Sequence, residues 1–183
     1  SVPSDEFAAW GEGAAFPSLP ATESLDVLRQ LKLSPRFDEV RSGWSFCPTT
    51  DLHATSDKKL LEFDIDERRG RTPVVTGGSF NLWDPDAGPL YAYAPTKRLR
   101  EHTMKKLARA VKLSRSAYFG LLAQTSSAPF EQARIAFRDI TNAENYRTTI
   151  ACLLPPGTVA VNAAPVLVQR DGGKDAEAFL LGV

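Results

Sequence analysis

Four short apolar runs between residues 134 and 169 constrain the fold of this chain more than any other feature. They read RIAFRDI, TTIACLL, TVAVN and APVLVQ, and each has the length and the β-branched content of a strand. Two earlier runs, RTPVVTGG and PLYAYAP, are bounded by Gly and Pro in the same way. The sequence therefore predicts an α+β fold, with a mixed or antiparallel sheet, a few flanking helices and a β-rich C-terminal half.

Three segments have the spacing of helices instead. Leucines three residues apart predict a short helix from Thr22 to Leu33, which Pro35 closes. A second helix begins at Lys174, with Ala176, Phe179, Leu180 and Val183 on one side. The third covers 97–115, where Leu99, Thr103, Leu107 and Val111 recur every fourth residue and Thr96 is a candidate N-cap.

The segment 97–115 also concentrates positive charge. It contains eight basic residues and one acid, Glu101, although the net charge of the whole chain is zero. The rest of the chain must therefore carry seven net negative charges. A basic helical face of this kind is typical of contact with nucleic-acid phosphates. The basic residues are Lys97, Arg98, Arg100, Lys105, Lys106, Arg109, Lys112 and Arg115.

The segment from Ala133 to Gly157 contains the strand candidates RIAFRDI and TTIACLL with a polar stretch between them, and it has the wording FRDIT, then RTTIA, then LLPPG. This order resembles the target-recognition half of single-chain DNA adenine-N6 methyltransferases, the type IIG restriction–modification enzymes and their BREX/Pgl phage-exclusion relatives. Three segments in the same order as the family extend the resemblance: FPSLPATESLDVLRQLKLSPRF, WSFCPTTDLHATSDKKLL and TPVVTGGSFNLWDP. The sequence departs from the family at Gly78, where many relatives have Lys.

The chain lacks the motifs that methyl transfer needs. Its glycines never form GxGxxG for S-adenosylmethionine, and Pro155–Pro156 follows Leu154 rather than the polar residue of an adenine-binding loop. The resemblance implies a fragment with no catalytic residue, no metal and no cofactor of its own, cut from a parent that uses S-adenosylmethionine. Residues 1–43 are then a linker and a short helix after the catalytic domain, and 44–183 a target-recognition domain truncated at its C-terminus. Restriction endonuclease activity of the parent stays open.

The resemblance implies two partners, double-stranded DNA and the catalytic methyltransferase domain of the same parent chain. Phosphate contacts are expected from the basic helix, and Arg138 and Arg147 are expected to contact the DNA backbone or to form a buried ion pair with Asp139. Asn142 and Asn145 lie in the same polar loop. Base reading is expected from the glycine turn and the loop before it, where the candidates are Ser79, Asn81, Trp83, Asp84, Arg68, Arg69 and Arg71.

Two other classes of function stay open. The chain could be a protein-interaction or scaffold domain whose basic helix meets an acidic partner. It could also be a small hydrolase if His53 and two carboxylates line one pocket, although Asp57 is better explained as a cap of the following turn. Cys47 and Cys152 are isolated, which fits a reducing cytoplasm, and no apolar run approaches the roughly 20 residues of a membrane span.

Overall fold

The computed structural model describes residues 23–34, 39–63, 68–121, 126–142, 144–145, 147 and 149–182. The chain divides into two compact units, Ser1–Glu39 and Val40–Val183. In the first unit, α1 covers Glu23–Leu31, close to the predicted bounds. In the described part of the chain, no helix combines the length and apolar character needed to cross a membrane.

The second unit contains a four-stranded antiparallel sheet in the order β1-β7-β4-β5. Pro48 lies in β1, and an edge strand tolerates proline because one side of its backbone needs no ladder partner. The run that contains β1 was not singled out as a strand from the sequence. The strands are β1 (Ser45–Thr49), β4 (Arg134–Phe137), β5 (Ala151–Leu154) and β7 (Val166–Asp171).

A second sheet has three strands in the order β3-β2-β6. The strands are β2 (Arg71–Val75), β3 (Ala92–Pro95) and β6 (Val159–Ala160). The pairing of β2 with β3 is antiparallel and that of β2 with β6 is parallel, so this sheet is mixed. All six strand candidates form strands, and the predicted α+β class with a strand-rich C-terminal half is confirmed.

Helix α2 covers Thr96–Ala110 and follows β3 directly. Leu99, Thr103 and Leu107 are buried as the fourfold spacing predicted. Two details of the prediction were wrong. The helix ends at Ala110, and turns follow it through Arg115. The N-cap position is occupied by Pro95. The Thr96 hydroxyl forms a hydrogen bond of 3.0 Å with the Thr72 hydroxyl near the start of β2.

Shorter helices also occur in the described part of the unit, and three of them have complete bounds. Two are 3₁₀ turns, Lys58–Leu60 and Pro129–Glu131. The third is α3, Lys174–Gly182, at the end of the described chain. The Phe179 ring of α3 packs edge-on against Trp44 at 6.1 Å between centroids. The predicted helix after Lys174 is therefore confirmed, while Val183 lies outside the described residues.

The core has two apolar clusters on opposite sides of the three-stranded sheet. Successive residues of a strand point to opposite faces, so Val74 joins one cluster and Val75 the other. The Val74 cluster includes Leu99 of α2, and the Val75 cluster includes Ala136 and Val166 of the four-stranded sheet. The layers of this unit are therefore α2, the three-stranded sheet and the four-stranded sheet. This order leaves the outer face of α2 open to solvent.

Candidate nucleic-acid interface

The outer face of α2 carries a row of exposed cations. Arg98, Lys105 and Arg109 are seven and four positions apart, which aligns them along the side of α2 opposite Leu99 and Leu107. Lys112 lies in the turn that follows the helix. Each is exposed. None of the four, nor the neighbouring Lys97, forms a hydrogen bond or ion pair with the described part of the chain. Their charges are therefore available to an anionic partner.

Two of the predicted phosphate contacts have partners inside the protein. Arg100 donates from Nε to the Glu131 carboxylate at 2.8 Å. The Lys106 ammonium donates to the backbone carbonyls of Thr50 and Asp51 at 2.9 and 2.8 Å. Arg100 therefore ties α2 to the 3₁₀ turn at Pro129–Glu131, and Lys106 ties α2 to the chain after β1. Both side chains therefore help to hold the fold, and their contact with DNA stays a prediction.

A groove of about 600 Å³ runs between the C-terminal half of α2 and the turn at residues 53–57. Its walls combine both histidines of the chain with three cations of α2 and a single carboxylate. The lining residues are His53, Ser56, Asp57, His102, Lys105, Lys106, Arg109, Ala110 and Leu113. A hydrolytic site would have required two carboxylates beside His53, so this groove does not meet that condition.

Asp57 organises the turn that forms one wall of the groove. Its carboxylate accepts the backbone N–H of His53 at 2.8 Å and lies 3.4 Å from Nε2 of His102. Asp57 also occupies the N-cap position of the 3₁₀ turn Lys58–Leu60, although its side chain makes no capping hydrogen bond there. Asp57 therefore does not cap the following turn with its side chain. Its carboxylate instead closes the preceding loop by accepting the His53 N–H.

The glycine turn after β2 is held from inside by Ser79. The Ser79 hydroxyl accepts the Thr76 N–H at 3.0 Å and donates to the Pro89 carbonyl at 2.7 Å. The residue has no exposed surface. The prediction that Ser79 contacts DNA is therefore corrected: its hydroxyl is consumed by the turn and cannot reach a base.

A tight hairpin, Asn81 to Asp84, projects from the same turn. Reciprocal backbone hydrogen bonds of 2.8 and 3.1 Å join its two ends. The Asn81 side chain is exposed and accepts the Leu82 N–H at 2.8 Å through Oδ1, which leaves its amide N–H₂ group directed to solvent. Trp83 has a φ of 61° and is 60% exposed, so it is not part of the apolar core.

Arg138 of the FRDIT segment packs against the glycine turn. Its Nη2 donates to the Phe80 carbonyl at 2.6 Å, and its Cγ lies 3.5 Å from the position of a Cβ on Gly77. Asp139 is exposed and does not pair with Arg138, and the buried ion pair of this segment is formed by Arg134 instead. Arg138 is half-buried, so its first role is to fasten the polar loop to the glycine turn.

The polar loop after Asp139 has exposed donors and acceptors. Asn142 is exposed and its side chain accepts the Glu144 N–H at 3.2 Å, while its carbonyl accepts the N–H of Asn145. Arg147 is exposed. These amide and guanidinium groups are the types that read base edges or phosphates. Residues 143, 146 and 148, which include Tyr146, lie outside the described part of the loop.

The groove and the loops are connected through residues 162 and 163. The Asn162 side chain accepts the N–H of Ala54 at 3.0 Å, and Ala54 directly follows the groove residue His53. The adjacent Ala163 carbonyl accepts the Asp139 N–H at 3.3 Å and lies 2.9 Å from the position of a Cβ on Gly77. The turn at residues 53–57 is thus linked through two consecutive residues to the FRDIT segment and to the glycine turn.

No protein-family model matches this chain, and no curated protein matches it either. Among the described residues, no three His, Cys, Asp or Glu side chains gather in an arrangement that could hold a metal ion. The chemistry that the site offers is therefore that of cations, amides and imidazoles facing solvent.

A buried ion pair beneath α2 was not found from the sequence. Arg134 donates to both carboxylate oxygens of Asp51, at 2.6 and 2.9 Å. Burial alone would lower the pKa of Arg134, but the Asp51 carboxylate and the nearby Tyr118 raise it overall. The sequence signal was weak, because Asp51 and Arg134 each stand among other charged residues. The pair fixes the chain segment whose carbonyls receive Lys106.

Proposed function

We propose that this chain is a DNA-binding target-recognition region of an S-adenosylmethionine-dependent, site-specific DNA adenine-N6 methyltransferase, from a restriction–modification or phage-defence system. In this proposal the chain itself performs no chemistry. It holds duplex DNA against the catalytic domain of the parent, in the cytoplasm, so that the target adenine is extruded into the neighbouring active site. Two independent lines support the proposal: the collinear motif resemblance and the arrangement of surface charge.

The observation that carries the proposal is the connection between the cationic groove and the motif loops. A protein that recognises DNA needs cations that grip phosphates and, beside them, amide or guanidinium groups that reach base edges. Lys105 and Arg109 supply the first kind of group. Asn142 and Arg147 belong to the loop proposed to supply the second, and the contacts of Asn162 and Ala163 lead from the turn at residues 53–57 to Asp139 at the start of that loop.

In this proposal the α2 cations contact phosphates and the loop amides contact bases, because the two kinds of group are held differently. The α2 cations lie on a rigid helix whose opposite face is buried, and they carry no sequence information because every phosphate is alike. Asn81 and Asn142 lie on turns fixed by their own backbone hydrogen bonds, so their amides are presented in set directions. An amide of this kind can form two hydrogen bonds with adenine in the major groove.

The proposal is tested by the salt dependence of duplex binding. For a protein that grips phosphates, log affinity falls linearly with log salt, with a slope of about −0.9 per phosphate contact. The triple variant R98Q/K105Q/R109Q should bind weakly, with a slope shallower by about two to three. The matched variant K58Q/K59Q/K174Q also removes three exposed positive charges, and it should change both the affinity and the slope much less.

The alternative of a scaffold domain gives a different result. An interaction domain whose basic helix meets an acidic protein has no reason to bind duplex DNA in a salt-dependent way at a defined stoichiometry. Failure of the wild-type chain to bind any duplex at low salt would therefore overturn the proposal. If both triple variants lost the same amount of duplex affinity, binding would depend on net charge alone. This result too would contradict the proposed function.

A further inference from the structure

We infer that the groove between α2 and the turn at residues 53–57 is a phosphate-binding site, with Lys105 and Arg109 as its principal cations and His53 and His102 as additional donors. The inference deepens the proposed function and rests on it for the source of the phosphate, a DNA strand. The same chemistry would accept a phosphorylated small molecule, so the experiments below separate these two sources.

The shape and the charge of the groove both suit a phosphate group. Its volume of about 600 Å³ lies within the range of roughly 300–1,000 Å³ that is usual for ligand sites. Three cations line it against one acid, Asp57. The Asp57 carboxylate already has neighbours inside the protein, because it accepts the His53 N–H at 2.8 Å and lies 3.4 Å from Nε2 of His102. The groove therefore keeps a net positive charge.

Lys106 adds a cation that is already fixed in position. An ammonium has three N–H donors, and two of them bond the carbonyls of Thr50 and Asp51. The third donor remains for a ligand. Because the side chain is held by these carbonyls, binding an anion costs it little conformational entropy. Lys106 thus combines a structural contact with a charge directed along the groove wall.

Lys105 and Arg109 are one helical turn apart on the same flank of α2, about 6 Å along the axis. Both are exposed and neither has a partner in the described part of the chain. They can therefore converge on one phosphate or contact two successive phosphates of a strand. Charge-assisted hydrogen bonds of this kind are the stronger class of polar contact.

The histidines take a role other than catalysis. An imidazole donates from at least one ring nitrogen whichever tautomer is present. His53 is an exposed lining residue of the groove, and its backbone is fixed by Asp57. His102 is half-buried beside the same carboxylate. Both residues thus line the same groove as Lys105 and Arg109.

The site is tested first with inorganic pyrophosphate, followed through the NMR ring signals of His53 and His102. Two matched variants each remove two exposed charges from the same helix. K105Q/R109Q changes the groove, and K97Q/R98Q leaves its lining intact. Pyrophosphate should give saturable shifts in the wild type and in K97Q/R98Q, and none in K105Q/R109Q. Absent shifts in the wild type, or equal shifts in both variants, would overturn the inference.

Duplex DNA then identifies the source of the phosphate. K105Q/R109Q should lose about tenfold or more in affinity, and K97Q/R98Q about two- to threefold, because only the first pair loses directed charge-assisted contacts. If pyrophosphate binds in the groove but no duplex binds, the groove takes a phosphorylated small molecule and the proposed DNA function fails. If duplex binds and the two variants lose affinity equally, DNA binding survives and the groove inference fails.

Discussion

Arg134 and Asp51 are 83 positions apart in sequence and form two parallel hydrogen bonds of 2.6 and 2.9 Å in the interior. Each partner also makes a further hydrogen bond to the backbone. Asp51 also accepts the Ala160 N–H at 3.1 Å, and Arg134 also donates to the Thr158 carbonyl at 3.1 Å. These contacts join β4, β6 and the chain after β1. Lys106 of α2 donates to the Asp51 carbonyl at the same point.

Removing one partner of this pair should destabilise the protein strongly. In Asp51→Asn the Arg134 charge loses its counter-ion while it stays buried, and such changes cost about 3–5 kcal/mol. The measurement is the free energy of unfolding from denaturant titration. The double variant D51L/R134M removes both charges, and it should be less destabilised than D51N because no unpaired charge remains. A double variant that is less stable than D51N would contradict this account.

The two cysteines should differ sharply in reactivity. Burial, with the Asp84 carboxylate adding to it, raises the pKa of the Cys152 thiol to about 12. Cys152 is fully buried, whereas Cys47 is half-buried in the edge strand β1. Since the thiolate is the reactive form, iodoacetamide near pH 8 should modify Cys47 and leave Cys152 intact. Mass spectrometry of the peptides measures both. Labelling of Cys152 in native C47S at the rate of an exposed thiol would disprove the prediction.

Tyr118 should make stability depend on pH in the alkaline range. Burial, and next the nearby Asp51 carboxylate, raise the pKa of its phenol from 10.0 to about 12. The folded state therefore binds this proton more tightly than the unfolded state. The resulting stabilisation is complete below about pH 10, and it is lost as the pH rises from about 10 to about 12.

The comparison with Tyr118→Phe isolates this effect, because Phe keeps the ring and removes the ionising group. The difference in unfolding free energy between the wild type and Y118F should be constant below about pH 10 and should shift against the wild type above it. The ultraviolet phenolate titration should also lose its most alkaline step in Y118F. A Tyr118 that ionises together with free tyrosine would refute the prediction.

The part of the fold that could be predicted from sequence is the part set by local spacing. A strand buried on both faces can be predicted from Val74 and Val75, and the inner face of α2 can be predicted from Leu99, Thr103 and Leu107. Both follow from periods of two and about 3.6 residues, which are local properties of the sequence. The groove is different. Its two walls are the turn after β1 and the far end of α2, and only the packing of α2 on the sheet brings them together.

The individual site residues were harder to predict for the same reason. Ser79 has the residue type of a base reader, yet its hydroxyl satisfies Thr76 and Pro89 across the turn. From the sequence, Lys106 would be taken for a surface charge. In the structure its ammonium donates to two backbone carbonyls of a segment more than 50 positions earlier. Whether a polar side chain serves the fold or a partner depends on such distant groups, which local sequence does not contain.

Gly78 offers a test of the proposed DNA contact. The glycine is exposed, and a Cβ at this position would have no atom within 4 Å. Its φ also lies outside the left-handed region, so a side chain fits without strain. Gly77 differs, because its Cβ would meet the Ala163 carbonyl at 2.9 Å. The variant G78K is therefore expected to fold normally.

The added side chain would follow Gly77, which packs against Arg138, in the turn from which bases are proposed to be read. Duplex affinity should rise several-fold at low salt, and the salt slope should steepen by about 0.9, which corresponds to one further phosphate contact. Gly78→Gln supplies a long side chain without charge and should leave the slope unchanged, while Gly78→Glu should weaken binding. If G78K and G78E bind duplex DNA alike, the glycine turn does not face the DNA.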